Sequence, residues 1–103
     1  MYDLEYLPIA REDMIEIARY ISRELQNPDA AERLANAMYE AAEAARTFPY
    51  AAPLHAPIRP LKHHYRKLLV HNYLMFYWVD NQAQKITVAR VIYAKRDYAS
   101  MLE

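Results

Sequence analysis

Not one glycine occurs among the 103 residues. Average usage would supply about seven. Glycine reaches positive φ without steric cost and lets a backbone approach a ligand closely. Its absence excludes the phosphate-cradling loops of nucleotide-binding domains and the strand-to-helix elbow of α/β-hydrolases, which are built on glycines. Left-handed turn positions then fall to Asn or Asp, or are avoided. The turns predicted on this basis are Asn27-Pro28, His71-Asn72 and Asp80-Asn81.

The length fits a single domain, residues 1–103, burying about 65% of the surface its unfolded chain exposes. A hydrophobic fraction of 54% against 25% charged residues belongs to a globular chain rather than a disordered one. Cysteine is also absent, which fits a reducing compartment. Asp3 and Glu5 stand where an export signal would be basic and then apolar. The longest strongly apolar run, Leu74 to Val79, is too short to span a bilayer. The expectation is a cytoplasmic protein with no membrane partner.

The formal charge of zero hides a division. Residues 1–50 carry ten acids and five bases, and residues 51–103 carry three acids and eight bases. No acid lies between Ala51 and Val79, a stretch that holds Arg59, Lys62, Arg66, Lys67 and all four histidines. Such asymmetry points to a polar partner for one half. The alternative is that acidic helices and a basic sheet neutralise each other across the molecule.

Hydrophobic spacing sets the elements. Tyr2, Leu4 and Tyr6 alternate with Asp3 and Glu5, predicting a half-buried strand over Tyr2–Leu7. Pro8 suits the first position of a helix, where its missing N–H is no loss. Met14, Ile17, Ala18, Ile21 and Leu25 form one helical face. Asn27-Pro28-Asp29 then stops that helix and starts another, with Asn27 as cap. The second helix runs to about Arg46 on an apolar stripe of Ala31, Leu34, Ala35, Met38, Ala42 and Ala45. Four of the six prolines fall at 49, 53, 57 and 60, predicting a stiff irregular connection ordered by packing of Phe48, Tyr50, Leu54 and Ile58. Strands are predicted at Tyr65–Val70, Tyr73–Val79 and Lys85–Tyr93, with Asn72 taking positive φ in the first turn. The strand Tyr73–Val79 is apolar on both faces and is expected to be central. The fold class is α+β: a β-α-α-β-β-β antiparallel sheet with an N-terminal helical hairpin packed on one face.

Chemistry is sparser. His55, His63, His64 and His71 match no metal-ligand spacing, and adjacent strand residues face opposite sides, so neither metal nor cofactor is expected. Ser22 and Ser100 sit at no strand-to-helix turn, so no serine triad is read. The strongest signal is a basic, aromatic sheet. Lys62, Arg66, Lys67, Arg90, Lys95 and Arg96 are interleaved with Tyr65, Tyr73, Tyr77, Trp78, Tyr93 and Tyr98. Cations hold phosphates and aromatics stack on unpaired bases, a composition that suits single-stranded RNA. The alternative is that the aromatics are core and the cations solvated. Arg90, inside a β-branched strand, is either buried and paired or facing a ligand.

The chain resembles the RelE/ParE superfamily of toxins from bacterial toxin–antitoxin modules. The resemblance rests on Tyr6-Leu7-Pro8-Ile9-Ala10 leading to Asp13 and Ile17, and on Tyr20-Ile21. It continues through Phe48-Pro49, Arg59-Pro60-Leu61 and Tyr65-Arg66-Lys67-Leu68. Tyr73 to Tyr77, Arg90-Val91-Ile92-Tyr93 and Arg96-Asp97-Tyr98 complete it. It implies a small toxin silenced by a cognate antitoxin, with no small-molecule substrate. ParE-like members inhibit DNA gyrase and RelE-like members cut ribosome-bound mRNA. The long helical hairpin and the Phe-Pro after it look ParE-like.

A RelE-like nuclease site would use Arg66 and Arg96 on the phosphate, with His64 or Tyr98 moving protons. The resemblance places Leu74 where such nucleases carry an arginine, and Leu102 near where they carry a tyrosine. Target binding falls to Lys62, Lys67, Arg90, Lys95 and Tyr93. The expectation is a ParE-like gyrase inhibitor. The rivals are a ribosome-dependent endoribonuclease and a non-toxic chain that only binds its antitoxin.

Overall fold

In the computed structural model, which describes residues 1–102, the strands are β1 (Asp3–Tyr6), β2 (Arg66–Val70), β3 (Tyr73–Asp80) and β4 (Lys85–Tyr93). Helices α1 (Pro8–Arg19) and α2 (Pro28–Thr47) lie between β1 and β2, with a π-helical turn at Tyr20–Glu24. A single 3-10 turn, Ala99–Met101, lies in the tail. The sheet order is β1-β4-β3-β2. The three later strands form the expected antiparallel meander. β1 adds beside β4 in parallel, Asp3 opposite Lys85 and Tyr6 opposite Val88, so the sheet is mixed rather than antiparallel throughout. A parallel neighbour is allowed by topology, because the helical hairpin carries the chain across the sheet between the two strands.

Asn27 caps α2 as its sequence implies: its side chain accepts from the Ala30 N–H at 3.1 Å, with Pro28 opening the helix. Leu34, Met38, Ala42 and Ala45 are buried from α2, and Ala35 faces solvent instead of joining that stripe. The first helix departs from its predicted period after Arg19. In the π-helical turn the Leu25 N–H reaches back five residues to Tyr20 C=O, and the Asn27 N–H reaches Ile21 C=O. The wider turn rotates the residues beyond it, so Leu25 leaves the apolar face and is exposed.

Two core layers result. Between sheet and helices lie Ile21, Leu34, Met38, Val70, Met75, Tyr77, Ile86, Val88 and Val91. On the other face Tyr65, Leu74, Phe76, Ala89, Ile92 and Leu102 form a second cluster, covered by Leu61, Tyr98 and Met101. The register slips between Phe76, opposite Arg90, and Tyr77, opposite Val88, leaving Ala89 as a bulge. The bulge shifts the alternation of β4, so that Ile86 and Val88 before it and Val91 after it face the helices.

Positive φ falls on Gln26, His71 and Gln84, not on Asn or Asp. In the β2–β3 hairpin the first loop residue takes φ 53°, and that residue is His71 rather than Asn72. The connection after α2 also differs from expectation, for Phe48, Tyr50, Leu54 and Ile58 are all exposed. Side-chain donors holding its carbonyls supply much of the order. Tyr77 Oη donates to Pro49 O (2.7 Å), and Arg66 Nη1 donates to Ala52 O (2.8 Å) and Tyr50 O (3.2 Å). Lys67 N–H to Pro53 O and His55 N–H to Tyr65 O tie the next residues to the start of β2.

Candidate functional site

Where β1 stops opposite Val88, β4 runs on with no strand on that side. α1 supplies the missing acceptor. Asp13 Oδ2 accepts from the Val91 N–H (2.9 Å) and from Arg90 Nε (2.8 Å), and its Oδ1 accepts from Arg90 Nη2 (3.0 Å). Arg90 Nη1 reaches Met101 O at 3.3 Å. The bond to Asp13 raises the Arg90 pKa above its ordinary value, against the opposing effect of burial. Arg90 is thus paired within the fold rather than turned toward a ligand. One carboxylate joins α1, the open edge of β4 and, through Arg90, the tail.

Beside this latch a groove of about 820 Å³ opens between α1, the π-helical turn, the start of α2 and the far end of β3 and β4. Ile17, Ile21, Leu34 and Val91 give it apolar walls. Glu16 and Arg96, both exposed, stand on it with opposite charge. Tyr20, Tyr73 and Tyr93 also line it, the last two with ring centroids 5.7 Å apart. The Tyr73 phenol is held above its usual pKa, first by burial and then by the neighbouring Tyr93 and Tyr20 hydroxyls.

The residues read as RNA-facing are placed very differently from one another. Arg66 is half-buried, bonded to two loop carbonyls and set 4.9 Å over the Tyr50 ring. Tyr65 is 5% exposed and Tyr77 is 1% exposed. Trp78 has one face covered by His63, stacked in parallel with centroids 3.7 Å apart. Tyr98 leans on Phe76 (5.3 Å) and meets His55 edge-on (5.9 Å). Lys62, His64, Lys95 and Arg96 are exposed, Lys67 is half-buried, and Tyr93 sits at the groove. Leu74, where a nuclease arginine is expected, is 9% exposed, and Leu102 is 2% exposed.

Two residues acquire roles that their sequence context does not announce. Asp13 is an ordinary helix acid until β4 is placed beside it. His55 packs against Phe76 and Tyr98 with its Nδ1 buried and without a hydrogen-bond partner. Burial, and then Lys67, lowers its pKa below the usual 6.5. A third residue, Ile58, is expected to pack but is 86% exposed.

Among the described residues no three His, Cys, Asp or Glu side chains gather as a metal site requires. No helix is long and apolar enough to cross a membrane. Two ion pairs among the described residues join the acidic half to the basic half, Asp13–Arg90 and Glu5–Lys85. Among the described residues, none of these ion pairs uses Arg59, Lys62, Arg66 or Lys67.

The model of a family described as the ParE toxin of type II toxin–antitoxin systems, parDE, matches residues 4–98. The chain is similar in structure to the chromosomal ParDE toxin–antitoxin system from P. aeruginosa, with a TM-score of 0.70 and 15% identity over 92% of this chain and 98% of that one. It is also similar to the RelBE2 toxin–antitoxin complex from Mycobacterium tuberculosis (TM-score 0.64, 17% identity, 89% and 96% covered). A metal-bound toxin from Helicobacter pylori gives a TM-score of 0.60 at 16% identity, with 90% and 94% covered. At these identities the likeness is one of fold. No curated protein matches the sequence. With nearly the whole chain under one family model, the protein belongs to the ParE toxin family of type II toxin–antitoxin systems.

Proposed function

We propose that this chain is a toxin that stops growth by binding a protein target, DNA gyrase, and that a cognate antitoxin silences it. The observation that carries the reading is where the candidates for RNA binding and cleavage lie. Arg66 is bonded to loop carbonyls, Tyr65 and Tyr77 are buried, and the Trp78 face is stacked on His63. Cleavage of RNA needs a proton acceptor, a proton donor and cations free to meet the phosphate. Arg96 and His64 remain at the surface for such roles, without an arginine at Leu74 or a tyrosine at Leu102.

The solved ParDE and RelBE2 structures are toxin–antitoxin systems, which supports an antitoxin as partner of this chain. We assign it the groove beside the Asp13–Arg90 latch. Apolar walls between the exposed Glu16 and the exposed Arg96 suit an amphipathic segment better than a small polar ligand.

Expression in cells without the antitoxin tests the reading. Filamentation with damaged DNA, translation continuing, is the expected result. A rapid stop in translation with cut transcripts would establish the nuclease instead. Normal growth with soluble protein would leave a chain that only binds its antitoxin.

A further inference from the structure

The segment from Ile58 to Tyr65 is irregular, yet its residues alternate. Arg59 Nη2 donates to Leu102 O at 2.9 Å, Leu61 packs on the second core cluster, His63 stacks on Trp78, and Tyr65 is buried. The odd-numbered positions thus fasten the segment to the sheet face opposite the helices. The even-numbered positions, Ile58, Pro60, Lys62 and His64, all point to solvent. They make a strip that is aliphatic at one end and cationic at the other. Pro57 and Pro60 fix φ on either side of Ile58 and Arg59.

An exposed isoleucine is ordinary by itself. One set between prolines, on a segment fastened at every second residue, loses little conformational freedom when it binds, and such preorganisation adds affinity. No acid lies between residues 51 and 79, so the strip carries no acid of its own. None of these residues lines the groove assigned to the antitoxin.

We infer that Ile58, Pro60, Lys62 and His64 are the surface with which the toxin grips its target, and that the target presents an apolar socket beside acidic side chains. A protein fits this better than RNA. The outward anchor is an alkyl side chain rather than an open aromatic face, and the rings of Tyr65 and His63 are turned inward or already stacked. This rests on the proposal that the chain acts on gyrase, and it adds where the contact is made.

The test uses the full-length chain, the purified gyrase holoenzyme and the cognate antitoxin. Ile58→Asp and Lys62→Glu are each compared with the wild type for gyrase binding, antitoxin binding and thermal midpoint. Expected are a loss of gyrase affinity of about tenfold or more for Ile58→Asp, and a smaller, salt-dependent loss for Lys62→Glu. Antitoxin affinity and thermal midpoint should not change. Undiminished gyrase binding by Ile58→Asp would overturn the inference and leave the gyrase reading standing. Loss of antitoxin binding in the same variant would overturn it too, by giving the strip to the antitoxin. A wild-type chain that ignores gyrase and binds ribosomes or RNA would overturn both.

Discussion

Asp13 shows how one residue can be plain in sequence and decisive in structure. It accepts three hydrogen bonds, two from a guanidinium and one from a strand edge. Removing the carboxylate leaves the Val91 N–H without its acceptor and Arg90 without its counter-charge, with the bond to Met101 O remaining, and this costs more than the pair itself contributes. Asp13→Ala is expected to lower stability by about 2–4 kcal/mol, read from urea unfolding midpoints. A change under about 0.5 kcal/mol would mean that water replaces the carboxylate. His55 makes the second residue-level prediction. Its folded pKa lies below the unfolded value, so the unfolded chain binds a proton more readily. The stabilisation is present above pH 6.5 and is lost as pH falls through the folded pKa. His55→Gln should therefore flatten part of the acid-side decline, seen by comparing denaturation midpoints at about pH 7.5 and about pH 5.5. An identical decline in both proteins would remove His55 from the account.

Elements are legible wherever a single period governs the chain. The helical stripe through Leu34, Met38, Ala42 and Ala45 and the cap at Asn27 are local facts, and local physics places them. The π-helical turn, the Ala89 bulge and the parallel register of β1 are not local. Each is settled by what the next layer needs, and the residues concerned carry no composition that announces it. The proline-rich connection is expected to be ordered by its own apolar side chains, and the structure replaces that reason with another. Arg66, a candidate for phosphate by its sequence, instead binds the Tyr50 and Ala52 carbonyls. Arg66→Ala should cost about 1–2 kcal/mol and raise amide exchange across residues 49–55, where Tyr77 and Lys67 also hold the backbone. If stability and exchange stay as in the wild type, the guanidinium is free for another role and the nuclease reading regains a residue.

At the scale of the molecule, the absence of glycine turns out to be no hindrance to tight turns, since Gln26, His71 and Gln84 accept the left-handed region. Non-glycine residues in that region cost about 1 kcal/mol or more each, so the fold must supply compensation elsewhere. Part of it comes from covering both faces of the sheet. Helices cover one face; the tail and the segment from Ile58 to Tyr65 cover the other. Two guanidiniums fasten the tail, Arg90 at Met101 O and Arg59 at Leu102 O, and Leu102 itself is buried in the second cluster. Leu102 thus joins the tail to the proposed target-gripping strip. Leu102→Ala removes its buried methyl groups and should destabilise the fold by about 2–4 kcal/mol, lowering the thermal midpoint by about 10 °C or more. Because Arg59 bonds the carbonyl rather than the side chain, the strip should loosen only as far as the tail retreats. Hydrogen exchange over residues 56–64 measures that retreat. Full protection there together with a lowered midpoint would show that the strip holds its shape without the tail, and that Arg59 is not its anchor.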